Sequence, residues 1–125
     1  MIKIDSGSFH SCAIKEISPP TSTPNIGTLN CWGDNHFGQS DIPSSFNIVV
    51  VIDLADYHTC AISPRMLACW GNNQFGQTTV PVAFRRAYAV HTASHTCALV
   101  YVDIKSSVGC WGDNANGEAT VPAFI

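Results

Sequence analysis

Apolar and polar positions along this chain change over in short bursts, with no stretch of sustained helical spacing. VVVIDL (Val49 to Leu54), HTCAI (His58 to Ile62), MLACW (Met66 to Trp70) and TTV (Thr78 to Val80) are β-branched or aromatic and are divided by turn residues. Each reads as a short strand. The longest β-branched run, Ile48 to Ile52, has strand length and falls far short of a membrane-spanning helix.

The strand pattern repeats. CWGDNHFGQSDIP begins at Cys31, CWGNNQFGQTTVP at Cys69 and CWGDNANGEATVP at Cys110, and the three align without a gap. A second motif precedes each one: HSCAI from His10, HTCAI from His58 and HTCAL from His95. About four strands in roughly 40 residues is one blade of a β-propeller. The expectation is an all-β domain of three blades, with repeats at approximately 1–47, 48–86 and 87–125. Three blades make a partial propeller, or one completed by oligomerisation with another copy, because each end blade would otherwise expose an apolar edge.

The middle repeat specifies its own register. Pairing Ser63 with Met66 around Pro64-Arg65 sets Ile62 against Leu67, Cys60 against Cys69 and Thr59 against Trp70. Cysteines opposed at a non-hydrogen-bonded position lie about 4.5 Å apart at Cα, which a disulfide can bridge. Two states stay open: disulfides Cys12–Cys31, Cys60–Cys69 and Cys97–Cys110, or reduced thiols packed as small hydrophobes. The other two hairpins differ in tip length, which marks Ser18 to Gly27 and Tyr101 to Ser107 as exposed loops suited to partner contacts.

The remaining repeat residues read as structural. His10, His58 and His95 each bond a nearby backbone group and pack on the next blade; without Cys-x-x-Cys or a fourth ligand they are not a zinc set. Trp32, Trp70 and Trp111 fill the space between blades. Gly38, Gly76 and Gly117 supply positive φ, and Pro43, Pro81 and Pro122 end strands. Asp34, Asp113 and Glu118 have a cation or sugar near the propeller axis as one reading and turn stabilisation as the favoured one.

These motifs resemble the repeats of the regulator of chromosome condensation family, through His-Ser/Thr-Cys-Ala, Trp-Gly-Asp/Asn-Asn and the following Gly-Gln, over essentially the whole chain. The Cys-Trp-Gly form is similar to the crinkly-type members. The resemblance implies propeller blades and protein ligands. Its rival implication is nucleotide exchange on a small GTPase, which the founding member performs with a complete propeller.

Composition narrows the function. The chain has 125 residues, 46% hydrophobic and only 12% charged, a one-domain length with a core. A net charge of -3, with Arg85-Arg86 the one adjacent basic pair, gives no footprint for nucleic acid or an anionic membrane. No paired carboxylates, nucleophile–base pair or phosphate loop appears, so neither an enzyme nor a cofactor is expected. The N-terminus shows no signal peptide. The chain is expected to be intracellular, processed or a piece of a longer protein, and secreted if its cysteines are oxidised. The function expected is a non-catalytic protein-interaction scaffold; a disulfide-stapled extracellular recognition domain and a sugar-binding propeller are the alternatives.

Overall fold

The hairpin around Ser63 to Met66 sets the plan of the molecule. In the computed structural model, which describes residues 2–17 and 26–123, Ser63 donates its N–H to the Met66 carbonyl at 2.9 Å. The Ser63 hydroxyl oxygen accepts from the Arg65 and Met66 amides at 3.2 and 3.1 Å, so one short side chain closes the turn. Ile62 then faces Leu67, Cys60 faces Cys69 and Thr59 faces Trp70, the register read from the sequence.

Three antiparallel sheets follow. β1 (Ile2–Ser6), β2 (His10–Glu16), β3 (Gly27–Gly33) and β4 (Ile48–Val49) form the first, in that order. β5 (Val51–Leu54), β6 (His58–Ile62) and β7 (Leu67–Gly71) form the second, and β8 (Ala89–Thr92), β9 (His95–Val102) and β10 (Lys105–Gly112) the third. β1, β5 and β8 lie beside one another as the first strands of successive blades. The all-β propeller-blade class is therefore observed, with four strands in one sheet and three in the others.

Three strand expectations change. Val49 to Leu54 is not one strand: it divides at Val50, with Val49 in β4 on the outer edge of the first sheet and Val51 to Leu54 opening the second as β5. Thr78 to Val80 is not a strand, because Asn73 holds it as a turn: its Oδ1 accepts the Thr78 amide at 2.8 Å and its Nδ2 donates to the Thr79 hydroxyl. Pro43 and Pro81 do not end strands; they lead into 3-10 turns at Ser44–Phe46 and Val82–Phe84. A fixed φ and a missing N–H suit a turn entrance as well as a strand end. The outer ladder is taken up beyond each turn, by β4 in the first blade and by the Leu67 amide donating to the Arg85 carbonyl in the second.

The core is divided between the blade junctions. Cys12, Ile14, Leu29 and Phe46 of the first blade pack against Leu54, Ala61 and Trp70 of the second. Cys60, Ile62 and Leu67 of the second pack against Ala98 and Trp111 of the third, with Phe84 alongside. The middle blade thus buries one side on the first and the other on the third, as a sheet that is apolar on both faces must.

Strand direction gives the molecule two faces. The tips joining β1 to β2, β5 to β6 and β8 to β9 lie on one, together with the loops after each Cys-Trp-Gly. The tips at Ser63 to Met66 and Asp103-Ile104 lie on the opposite face. Among the described residues no helix is long and apolar enough to cross a membrane.

Candidate functional site

The first face is built from repeated turns. After each Trp-Gly the loop amide returns to the neighbouring tip: Asp34 to the Phe9 carbonyl and Asn72 to the Tyr57 carbonyl, both at 2.8 Å. Gly71 at φ +111° permits that closure, since a Cβ there would lie 2.6 Å from the Tyr57 carbonyl oxygen. Gly38, Gly76 and Gly117 have φ of 80, 78 and 79°, the left-handed values their position in the motif predicts.

The Asp-Asn runs hold these loops. Asp34 Oδ1 accepts the His36 amide and Asp113 Oδ1 the Ala115 amide; Asn35 and Asn114 accept the Ser40 and Ala119 amides. Gln39 and Gln77 accept the Phe37 and Phe75 amides through Oε1, each at 2.9 Å. Glu118 does the same for Asn116 at 3.2 Å. The shared function is acceptance by Oε1, which explains why Glu substitutes for Gln in the third repeat.

The motif His and Trp residues join blades. His10 Nε2 meets the Thr59 hydroxyl at 2.7 Å, and His58 Nε2 meets that of Thr96 at 3.1 Å. The expected packing on the next blade is present, but the partner is a threonine hydroxyl and not a backbone group. Thr59 in turn donates to the Gln39 carbonyl, which also accepts from the Trp70 indole at 3.0 Å. Gln77 receives Thr96 and Trp111 in the same way. Trp70 and Trp111 are 8% and 9% exposed, whereas Trp32 is 50% exposed. Trp32 is therefore not inter-blade filling within this chain: each Trp packs on the preceding blade, and the first has none. His95, in the last blade, likewise meets no threonine hydroxyl among the described residues.

All six cysteines pair as disulfides within their own blades: Cys12–Cys31, Cys60–Cys69 and Cys97–Cys110, with Cα separations of 4.1, 4.1 and 4.0 Å. Among the described residues no group of three or more His, Cys, Asp or Glu side chains is placed to hold a metal ion.

Burial leaves a pH signature. His58 is 1% exposed, and burial pushes its pKa down to about 4, with the charges of His10 and His95 acting the same way. His10 is also lowered by burial, against the Asp56 backbone and the nearby carboxylates of Asp34, Asp5 and Asp56. Its Nδ1 is buried without a hydrogen bond. The folded form of His58 binds fewer protons than the unfolded form between about 4 and 6.5. Its contribution is present above 6.5 and is lost as the pH falls towards 4. The expected loss on full acidification is about 3 kcal/mol. Asp53 works in the opposite sense, because burial raises its carboxyl. Urea midpoints from pH 7 to pH 4 should fall more steeply for the native chain than for His58→Gln; parallel profiles would refute the assignment.

A cleft of 760 Å³ opens on this face between the tips of the three blades. Ser8, Asp56, Tyr57, Asn72, Phe75 and Asp113 are among its lining, and His58 forms part of its wall. Beside it Phe9 stacks on Tyr57 with centroids 5.1 Å apart, and Phe37 meets Tyr57 edge-on at 5.4 Å. Phe9, Phe37, Tyr57 and Phe75 are all exposed. Strand and turn patterning does not single out this cluster, although its signal is present in the sequence: Phe9 and Tyr57 precede the motif His, and Phe37 and Phe75 precede the motif Gly.

Of the loops expected to carry contacts, Ser18 to Asn25 lies outside the described residues. Tyr101 to Ser107 is not a loop: β9 and β10 stay paired through Val102 and Lys105, and Asp103-Ile104 alone make the projecting turn, with Ile104 93% exposed and Tyr101 stacked on Tyr88 at 4.4 Å.

No family model and no curated protein matches the chain. Among solved structures it is similar to the crystal structure of the CRINKLY WD40 ectodomain from the Arabidopsis thaliana receptor kinase ACR4, at 18% identity and a TM-score of 0.58. The match covers 88% of this chain and 37% of that one, so the chain spans little more than a third of the length of the propeller it resembles. At this identity the likeness establishes the β-propeller repeat fold alone.

Proposed function

We propose that this chain is a non-catalytic protein-interaction scaffold built from repeats of the regulator of chromosome condensation type. The observation that carries the reading is the exposed cluster of Phe9, Phe37 and Tyr57 beside the cleft. Aromatic side chains left in solvent next to a concave surface are what protein interfaces use as anchors. The hydrogen-bonded groups of the motifs are spent on turns and blade junctions, which supports a scaffold over an enzyme. Nucleotide exchange on a small GTPase is the weaker reading; faster nucleotide release in the presence of this chain would replace the proposal.

Selection from an unbiased displayed peptide library tests it. Binders are expected, and their affinity should drop at least about tenfold for Tyr57→Ala, the usual loss at an aromatic anchor. Failure to select any binder, or binders indifferent to Tyr57→Ala and Phe37→Ala, would overturn the reading.

An extracellular, disulfide-stapled recognition module is a second reading, favoured by the oxidised pairing of all six cysteines. Intact bridges in protein isolated with thiols blocked at lysis support it, and free thiols there refute it.

We also propose that the open edges marked by Trp32 and His95 are covered by a second copy, giving six blades, within the range of about four to eight seen in closed propellers. Sedimentation of the 125-residue chain should show concentration-dependent dimers. A monomer throughout would overturn this.

A further inference from the structure

The two faces of the molecule carry opposite charge. All six Lys and Arg residues lie towards the second face: Lys3 and Lys15 near that end of β1 and β2, Arg65 in the Ser63 to Met66 tip, Arg85 and Arg86 beside it, and Lys105 at the start of β10. Seven of the nine acidic residues lie towards the first face: Asp5, Asp34, Asp41, Asp53, Asp56, Asp113 and Glu118. Only Glu16 and Asp103 stand at the other end. Part of this separation is built into the blades: on the first face Asp34, Asp113 and Glu118 accept turn amides, and Asp5 and Asp53 accept the Leu54 and Thr92 amides of the next blade.

The aromatic cluster sits on the acidic face and is not needed to build a blade. Where the first two blades carry Phe9 and Tyr57 the third carries Ser94, and where they carry Phe37 and Phe75 it carries Asn116. The third blade folds with the same hairpin register without them. These rings are therefore an addition to the fold, confined to the side of the cleft formed by the first two blades.

We infer that the cleft and its aromatic rim bind a Lys- or Arg-rich segment of a protein partner. The inference rests on the protein-interaction reading above and specifies its ligand. A guanidinium or ammonium group is held by the faces of exposed aromatic rings, and most strongly where carboxylates stand close by. Tyr57 and Phe75 line the cleft together with Asp56 and Asp113, and among the described residues no Lys or Arg lines it. The wider acidic field draws a cationic segment to this face, while the basic face opposite repels it.

The probes are three fluorescent twelve-residue peptides of equal length: one with four Arg, one with four Lys and one with four Glu, in a Gly/Ser background. The Arg and Lys peptides are expected to bind and the Glu peptide not. Binding should weaken about tenfold for Tyr57→Ala. It should also weaken for Asp56→Asn, which keeps an acceptor for the Ser8 amide that Asp56 now holds at 3.1 Å. Binding should fall as salt rises, and Lys105→Gln on the opposite face should change it far less than Asp56→Asn does. Unchanged melting and intact disulfides in each variant separate lost contacts from lost fold. If the unbiased selection yields Tyr57-dependent binders with no enrichment in Lys or Arg, this inference fails and the interaction reading stands. If neither peptides nor library bind while a glycan array gives ligands lost in Tyr57→Ala, both fail in favour of a saccharide.

Discussion

Reducing the three disulfides is expected to unfold the chain, or to bring it to the edge of unfolding, at room temperature. Cys12–Cys31, Cys60–Cys69 and Cys97–Cys110 close loops with sequence separations of 19, 9 and 13 residues. In the chain-entropy account a loop of this size stabilises by about 3 kcal/mol. The loops do not overlap in sequence, so their contributions add to about 9 kcal/mol. A domain's whole stability is about 5–15 kcal/mol. Urea midpoints with and without a phosphine reductant, with thiols counted in parallel, measure the effect. A midpoint that holds after six thiols are titrated would refute it. The bridges should also open in order. Cys12 and Cys60 are fully buried at blade junctions, whereas Cys97 and Cys110 are both partly exposed, because no further blade covers them. Cys97–Cys110 is expected to be reduced first, as read by alkylation and mass analysis.

The tryptophans supply the second large effect. Trp70→Ala removes a side chain that packs on Phe46 at a centroid distance of 6.1 Å and bonds the Gln39 carbonyl. Its cost is expected at about 3–5 kcal/mol, as for other large aromatic truncations in a core. Trp32→Ala in the same motif position should cost less than about 1 kcal/mol, because Trp32 is half exposed and has no preceding blade to fill. Equal losses in the two variants would show that the Cys-Trp-Gly motif stabilises its own blade, and that the junction is not what matters.

The two results bear on how much of the molecule could be read from its residues. Hairpin register was legible, because Cys60 and Cys69 are joined by a turn short enough for local pairing to decide the opposite partners. The turn roles of the glycines and of the Asp-Asn runs were legible for the same reason: each acts within a few residues. The oxidation state was not, since opposed thiols and a disulfide share one register. Thr78 to Val80 has the β-branched composition of a strand, but Asn73 ties its backbone into a turn. Identical motifs also concealed unlike environments. Trp32 and Trp70 have the same immediate neighbours in sequence, but only Trp70 has a blade in front of it.

By itself, then, the sequence determined the repeat, the strands that flank each cysteine pair and the propeller class, all of which follow from alternation and turn chemistry over short distances. Only the tertiary structure decided which repeat residues are buried, since that depends on the neighbouring sheet. It also decided that Phe9, Phe37 and Tyr57, far apart in the chain, meet on one surface. The separation of acid from base belongs to this second kind of information. A charge at either end of a strand looks alike in the sequence, and it acquires a side only when the hairpins set the strand directions and the blades stack with their tips together.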